Sequence, residues 1–217
     1  MSLPQIALSA RSEPLVLYWP SPGKPAGFLE FTDPGEWRAF VERLSLDPLI
    51  PDMVRLKYER AQKLYLLGWI DADLIKAGEL VALTALELAL NDRYGSAVKP
   101  ISRKRIDPSS QEAIMAPLPR RSFKALLRHM VEGDGLTDDQ IPMIAACGGA
   151  AIGQLTGTSK PTLDERRNAL AHGDPFDGLP TSGLIELVRD LIMFAYRHYL
   201  AQAHAASDTS ATGVPSP

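Results

Sequence analysis

The stretch Leu74-Ile-Lys-Ala-Gly-Glu-Leu-Val-Ala-Leu-Thr-Ala-Leu-Glu-Leu-Ala-Leu90 decides the fold of this 217-residue chain. It lies in a helix that we predict from about residue 71 to residue 94, with Gly95 as its cap. Apolar side chains occupy most of its circumference, and such a helix belongs at the centre of a bundle. Glu79 and Glu87 interrupt the apolar surface, and a carboxylate inside a bundle needs a partner.

The helical spacing of apolar residues also predicts the neighbours of this helix. Capping boxes formed by Asp33 with Glu36 and by Thr137 with Gln140 mark two of the starts. The segment 147–153 has no clear signal, and loop and helix fit it equally. The predicted neighbours span about residues 33–44, 52–69, 122–132, 137–146, 161–172 and 182–204.

The N-terminal segment has a different character from the helical part. Leu15–Trp19 and Phe28–Thr32 are candidate strands that could pair as an antiparallel hairpin. We therefore predict a mostly α fold, an up-down bundle of four to five main helices over residues 51–204. Residues 1–50 form an irregular segment with this hairpin and a short helix, and residues 205–217 are a disordered tail.

Composition restricts the class of protein. The formal net charge of −3 argues against a chain coated with nucleic acid but allows a local basic groove. Cys147, the single cysteine, excludes an intrachain disulfide, and its small neighbours favour a buried structural thiol. Neither a signal peptide nor an apolar stretch long enough to span a bilayer is evident. We expect a soluble cytoplasmic protein without membrane contact.

Basic residues are concentrated between residues 96 and 130. Asp107 and Glu112 oppose eight of them, which leaves +6 (8 − 2) on a chain that is negative overall. Two interpretations remain open, a solvated charged loop and a surface that contacts a phosphate backbone. The eight residues are Lys99, Arg103, Lys104, Arg105, Arg120, Arg121, Lys124 and Arg128.

A polar cluster precedes a strong helix stop at Gly173 and Pro175. It consists of Arg166, Arg167, Asn168 and His172. Asn168 and His172 are four residues apart, so the amide could hydrogen-bond the imidazole. A purely structural interpretation is also open: either arginine pairs with Glu87 or Glu79, and His172 is a cation that favours the helix C-terminus.

Other chemistries lack their sequence signals. There is no Gly-x-x-x-x-Gly-Lys loop, no His-Glu-x-x-His and no Gly-x-Ser-x-Gly. The four histidines do not fall in a metal-ligand spacing. We therefore predict no metal and no cofactor.

Arg167-Asn-Ala-Leu-Ala-His172 resembles the R-x4-6-H signature of HEPN-domain proteins, including the polar residue that often follows the arginine. Arg166 also falls within that spacing. The stretch Tyr58–Trp69 and the Ala-Leu-Glu helix after it are similar to the opening helices of such domains. The resemblance covers about residues 52–204, and residues 1–50 match no family that we can name.

The resemblance implies an all-α bundle that forms a homodimer and brings two motifs into one cleft. Many HEPN domains are metal-independent ribonucleases in toxin–antitoxin, CRISPR-associated and other defence systems. His172 would then act as general acid or base, and Arg167 would stabilise charge on the phosphate. Asn168 would orient the imidazole or hold a phosphate oxygen. The ribose 2′-hydroxyl would attack, leaving a 2′,3′-cyclic phosphate. The expected RNA contacts are Arg166, Arg103, Lys104, Arg105, Arg120 and Arg121.

Some HEPN domains are not catalytic. The alternative function is therefore a module that binds RNA, a nucleotide or a protein partner such as an antitoxin. This sequence also departs from the family pattern at Asp174, where some antiphage and toxin members carry a tyrosine.

Overall fold

The computed structural model describes residues 6–100, 121–173 and 180–211, with side chains as far as residue 206. Within these residues the chain is mostly α, as predicted, with a small two-stranded sheet. The strands are β1 (Leu15–Tyr18) and β2 (Phe28–Phe31). The helices are α1 (Pro34–Arg43), α2 (Asp52–Leu67), α3 (Asp73–Tyr94), α4 (Phe123–Glu132), α5 (Pro142–Cys147), α6 (Ile152–Thr156), α7 (Leu163–His172) and α8 (Leu184–Ala211).

The helix predicted at the centre of the bundle does lie there. α3 packs against α2, α4, α7 and α8. Leu83, Leu86 and Leu90 are completely buried. Gly78 allows the close approach of α2, because a Cβ at this position would lie 2.7 Å from a ring carbon of Tyr65. Small and large apolar side chains on α3 thus set the spacing of the bundle.

The predicted hairpin is confirmed. β1 and β2 are antiparallel, with Leu15 opposite Phe31 and Tyr18 opposite Phe28. Side chains alternate between the two faces of a strand, so Leu15 and Leu17 are buried whereas Tyr18 is exposed. The buried face of the hairpin shares one hydrophobic core with α1 and the bundle.

The segment between α4 and α6 differs in detail from the prediction. The expected short helix over 137–146 divides into a 3-10 turn (Asp138–Gln140) and α5. Ile141 separates them in an extended conformation, because a residue that precedes a proline disfavours the helical region. Gly148 and Gly149 then have positive φ and end α5. The ambiguous stretch after them forms the short helix α6 from Ile152.

The final helix is longer than predicted. α8 continues to Ala211, beyond the predicted end at residue 204. Alanines within this part of the chain are strong helix formers and extend the helix despite the polar composition. Among the described helices, none combines the length and the apolar character needed to cross a bilayer.

Candidate functional site

The polar cluster lies on α7, a helix that is fixed at both ends. The backbone N–H of Glu165 donates to Thr162 Oγ1 at 3.1 Å, and the carboxylate of Glu165 accepts from the N–H of Thr162 at 2.9 Å. This capping box satisfies two helix-end donors. At the other end Gly173 adopts the predicted left-handed conformation, with φ 67° and ψ 56°. Both boundaries of α7 therefore follow from local sequence.

α7 is attached to the bundle by a narrow apolar contact. Leu163 is completely buried, and the helix packs against α3, α4 and α6. The side chains from Arg166 to Leu170 are partly buried, and His172 is exposed. The polar side chains of α7 therefore lie near the surface of the bundle.

Arg167 is held in one orientation by two partners. Its Nη2 donates to Glu87 Oε2 on α3 at 2.6 Å, and its Nη1 donates to Asn168 Oδ1 at 3.0 Å. The side chains of Arg167 and Glu87 are 31% and 21% exposed, so the ion pair is only partly shielded from water. The structural interpretation of the cluster correctly predicted this pair. A guanidinium has five N–H donors, so three (5 − 2) have no partner in the described part of the chain.

Asn168 does not orient the imidazole of His172. Its Oδ1 accepts from Arg167, and its Nδ2 points to Asp164 Oδ2 at 3.5 Å. The predicted hydrogen bond between Asn168 and His172 is therefore wrong. The ion pair with Glu87 places the Arg167 guanidinium within reach of the Asn168 amide, so the amide oxygen accepts from Arg167. His172 forms no hydrogen bond or ion pair with a described residue and lies in the last turn of α7.

Arg166 points to a different part of the molecule from Arg167. Its Nη1 donates to Thr181 Oγ1 at 3.1 Å. The backbone N–H of Thr181 donates in turn to the carboxylate of Glu79, a residue that is only 1% exposed. Glu79 thus accepts a hydrogen bond from a backbone group. Arg166 also lines an open groove of about 590 Å³ beside the hairpin.

The predicted basic surface is described only in part. Arg103, Lys104, Arg105 and Arg120 lie outside the described residues, as do Asp174 and Pro175. Arg121 donates from Nε to the carbonyl oxygen of Val98 at 3.1 Å, so this arginine holds the end of the segment that follows α3. Its predicted RNA contact stays a prediction.

Lys124 and Arg128, the basic residues of α4, are exposed and line a shallow groove of about 460 Å³. Arg128 is 3.6 Å from the carboxylate of Glu132. α4, which carries Lys124 and Arg128, also packs directly against α7.

Sequence reasoning missed Thr181 as part of the site. The signal was the carboxylate of Glu79 within an apolar helix, which requires a partner. That partner lies 102 positions further along the chain, so spacing does not identify it. No group of three or more His, Cys, Asp and Glu side chains within the described residues could hold a metal ion.

Comparison with protein-family models, with curated proteins and with solved structures finds no match to this chain.

Proposed function

We propose that the chain is a metal-independent endoribonuclease of HEPN type, with an active site shared between two copies in a homodimer. The observation that carries the proposal is the arrangement on α7. Arg167 is anchored by Glu87 and Asn168 yet keeps N–H donors without a partner among the described residues, and His172 is exposed on the same helix. A fixed cation and an accessible imidazole are the groups that cleavage by the ribose 2′-hydroxyl requires.

In the reaction, an imidazole of His172 removes the proton of the 2′-hydroxyl or donates one to the departing 5′-oxygen. The 2′-oxygen bonds to phosphorus as the bond from phosphorus to the 5′-oxygen breaks. The products are a 2′,3′-cyclic phosphate and a 5′-hydroxyl. Arg167 stabilises the negative charge that collects on the phosphate oxygens, because a planar guanidinium can donate to two of them. Asn168 acts on Arg167 rather than on the imidazole.

Helix geometry supports a site that is shared between two chains. Arg167 and His172 are about 140° apart around α7 and separated by about 7.5 Å along its axis. Arg167 points towards α3, where Glu87 holds it, so His172 of the same chain points elsewhere. A second copy can place its imidazole or its guanidinium where one chain cannot.

Cleavage of a labelled single-stranded RNA in EDTA tests the proposal. We expect wild-type protein to produce cyclic-phosphate ends, and His172→Ala and Arg167→Ala to lose this activity. His198→Ala removes another exposed imidazole, and Arg55→Ala breaks an Arg–Glu pair of 2.7 Å on α2, so both serve as controls. Cleavage that survives in both α7 variants removes these residues from the mechanism.

Mixing the two inactive variants tests the shared site. If the site combines groups from two chains, a mixture of Arg167→Ala and His172→Ala dimers regains part of the wild-type activity after subunit exchange. Mixtures that stay inactive, although exchange is verified with labelled chains, contradict a shared site.

A second function is favoured by one observation. Both terminal nitrogens of Arg167 already have protein partners, which suits a structural role in a non-catalytic module that binds RNA, a nucleotide or a protein such as an antitoxin. This function predicts RNA binding by the wild-type protein without turnover, and an affinity that falls steeply with salt if the basic surface contributes.

A further inference from the structure

The groove beside α7 is separate from the face that holds Arg167. It lies among the turn of the hairpin, the loop between α5 and α6, and the first turn of α8. Its volume of about 590 Å³ is within the range of small-molecule sites. Arg166 is the one charged side chain among the described residues that line it. The described lining of the groove thus combines one arginine with no carboxylate, and this favours an anionic ligand.

The guanidinium of Arg166 is oriented from the core. Thr181 accepts from its Nη1 and is itself held by the buried carboxylate of Glu79. The Nε of Arg166 is shielded from solvent and has no hydrogen-bond partner in the described part of the chain. Arg166 as a whole is partly exposed, so an anion in the groove would accept hydrogen bonds from the accessible end of its guanidinium.

The rest of the lining indicates the body of the ligand. In the loop that lines the groove, the N–H groups of Gly149 and Ala150 donate to no acceptor within the described residues. Met143 and Leu187 supply apolar surface. Tyr18 is 60% exposed and presents an aromatic ring at the groove. Aromatic rings of this kind stack on the bases of nucleotides.

We propose that the groove binds a nucleoside monophosphate, with its phosphate on Arg166 and its base against Tyr18. A nucleoside monophosphate group is present in two kinds of ligand, a free nucleotide and one residue of an RNA strand. In the second case the inference rests on the proposed ribonuclease function, and it then assigns Arg166 to substrate binding on one side of α7. In the first case the groove is a ligand site that is independent of cleavage.

Isothermal titration of the full chain tests this site. The probes are AMP, GMP, CMP and UMP, with adenosine and inorganic phosphate as fragments. We expect at least one monophosphate to bind roughly tenfold or more tightly than either fragment, because both ends of the ligand contribute. Arg166→Gln should weaken that binding by about tenfold or more, since hydrogen bonds to a charged group are lost.

A second variant keeps the test valid if Arg166→Gln fails to fold. Ala150→Glu places a carboxylate on an exposed position of the groove and should weaken monophosphate binding to a similar extent. Ala201→Glu makes the same charge change on an exposed position of α8, and Arg55→Gln removes an arginine from α2; both should bind like the wild type. Equal affinity of the wild type, Arg166→Gln and Ala150→Glu would overturn the proposal, as would wild-type protein that binds none of the probes.

A 2′-O-methylated UUU trinucleotide, which cannot be cleaved, separates the two sources. Tighter binding of the trinucleotide than of UMP identifies RNA as the ligand, and equal or weaker binding identifies the free nucleotide. Cleavage is measured separately. Nucleotide binding that depends on Arg166, in a protein that cleaves no RNA, refutes the ribonuclease and supports the groove. Cleavage of RNA together with nucleotide binding that does not depend on Arg166 supports the ribonuclease and refutes the groove as a nucleotide site.

Discussion

Replacing Glu87 by glutamine tests whether its carboxylate fixes the position of Arg167. The two side chains form a 2.6 Å ion pair and are 21% and 31% exposed. Exposed pairs contribute about 0.2–1 kcal/mol, whereas removing one partner of a buried pair costs about 3–5 kcal/mol. The Glu87–Arg167 pair is partly exposed, so its contribution should lie between those of exposed and buried pairs. We therefore expect Glu87→Gln to lower the free energy of unfolding by about 1–2 kcal/mol. For a chain of this size that corresponds to a decrease in Tm of roughly 2–8 °C.

Thermal unfolding followed by circular dichroism measures the effect. A double-mutant cycle with Glu87→Gln and Arg167→Gln isolates the pair, and we expect a coupling free energy of about 1 kcal/mol. Glu42→Gln is the matched control, because its carboxylate is 3.8 Å from Arg38 and is 47% exposed. That control should change the Tm by less than about 1 °C. A coupling free energy indistinguishable from zero would refute the reasoning that Glu87 sets the orientation of Arg167.

The same variant separates positioning from catalysis. Glu87 reaches the proposed reaction only through Arg167, so Glu87→Gln should reduce RNA cleavage without abolishing it. The loss should appear mainly in kcat, because a mobile guanidinium stabilises the transition state less well. A Glu87→Gln protein with full activity would show that cleavage does not depend on the anchored guanidinium.

Two further substitutions test the frame of the fold. Arg197 donates two hydrogen bonds of 2.7 Å to Asp134 and holds the pKa of that carboxyl below its usual range. A folded-state pKa that is lowered stabilises the fold above the unfolded pKa of about 3.9, and this stabilisation disappears as the pH falls through the lower folded value. Asp134→Asn should therefore lower the Tm at pH 7, and its difference from the wild type should shrink as the pH is lowered below about 4; a difference independent of pH contradicts the assignment. Thr162→Ala removes the capping bond of α7 and should cost about 1 kcal/mol in urea unfolding. Ser122→Ala, at an N-cap that forms no such bond, should cost much less, and equal losses would argue against the capping box.

Local sequence predicts most of the frame. The apolar circumference of α3 and the Gly173 cap of α7 were both predictable, because each depends on residues within a few positions of one another. Which arginine pairs with which carboxylate was not predictable, because either arginine was a candidate partner for Glu79 and for Glu87. Glu87 meets Arg167 across 80 positions and Glu79 meets the backbone of Thr181 across 102, so the pairing depends on how α3 and α7 are rotated in the bundle. Spacing along the chain contains no information about that rotation.

The rotation of α7 also decides what its two adjacent arginines can do. Consecutive residues on a helix are about 100° apart, so the side chains of Arg166 and Arg167 point in different directions and bind different groups. Either arginine satisfies the R-x4-6-H spacing with His172, and the sequence alone does not choose between them. Arg167 donates a hydrogen bond to Glu87 on α3, whereas Arg166 donates one to Thr181 beside the groove. Two carboxylates of α3 thus assign the arginines: Glu87 anchors Arg167 directly, and Glu79 holds Arg166 in place through Thr181.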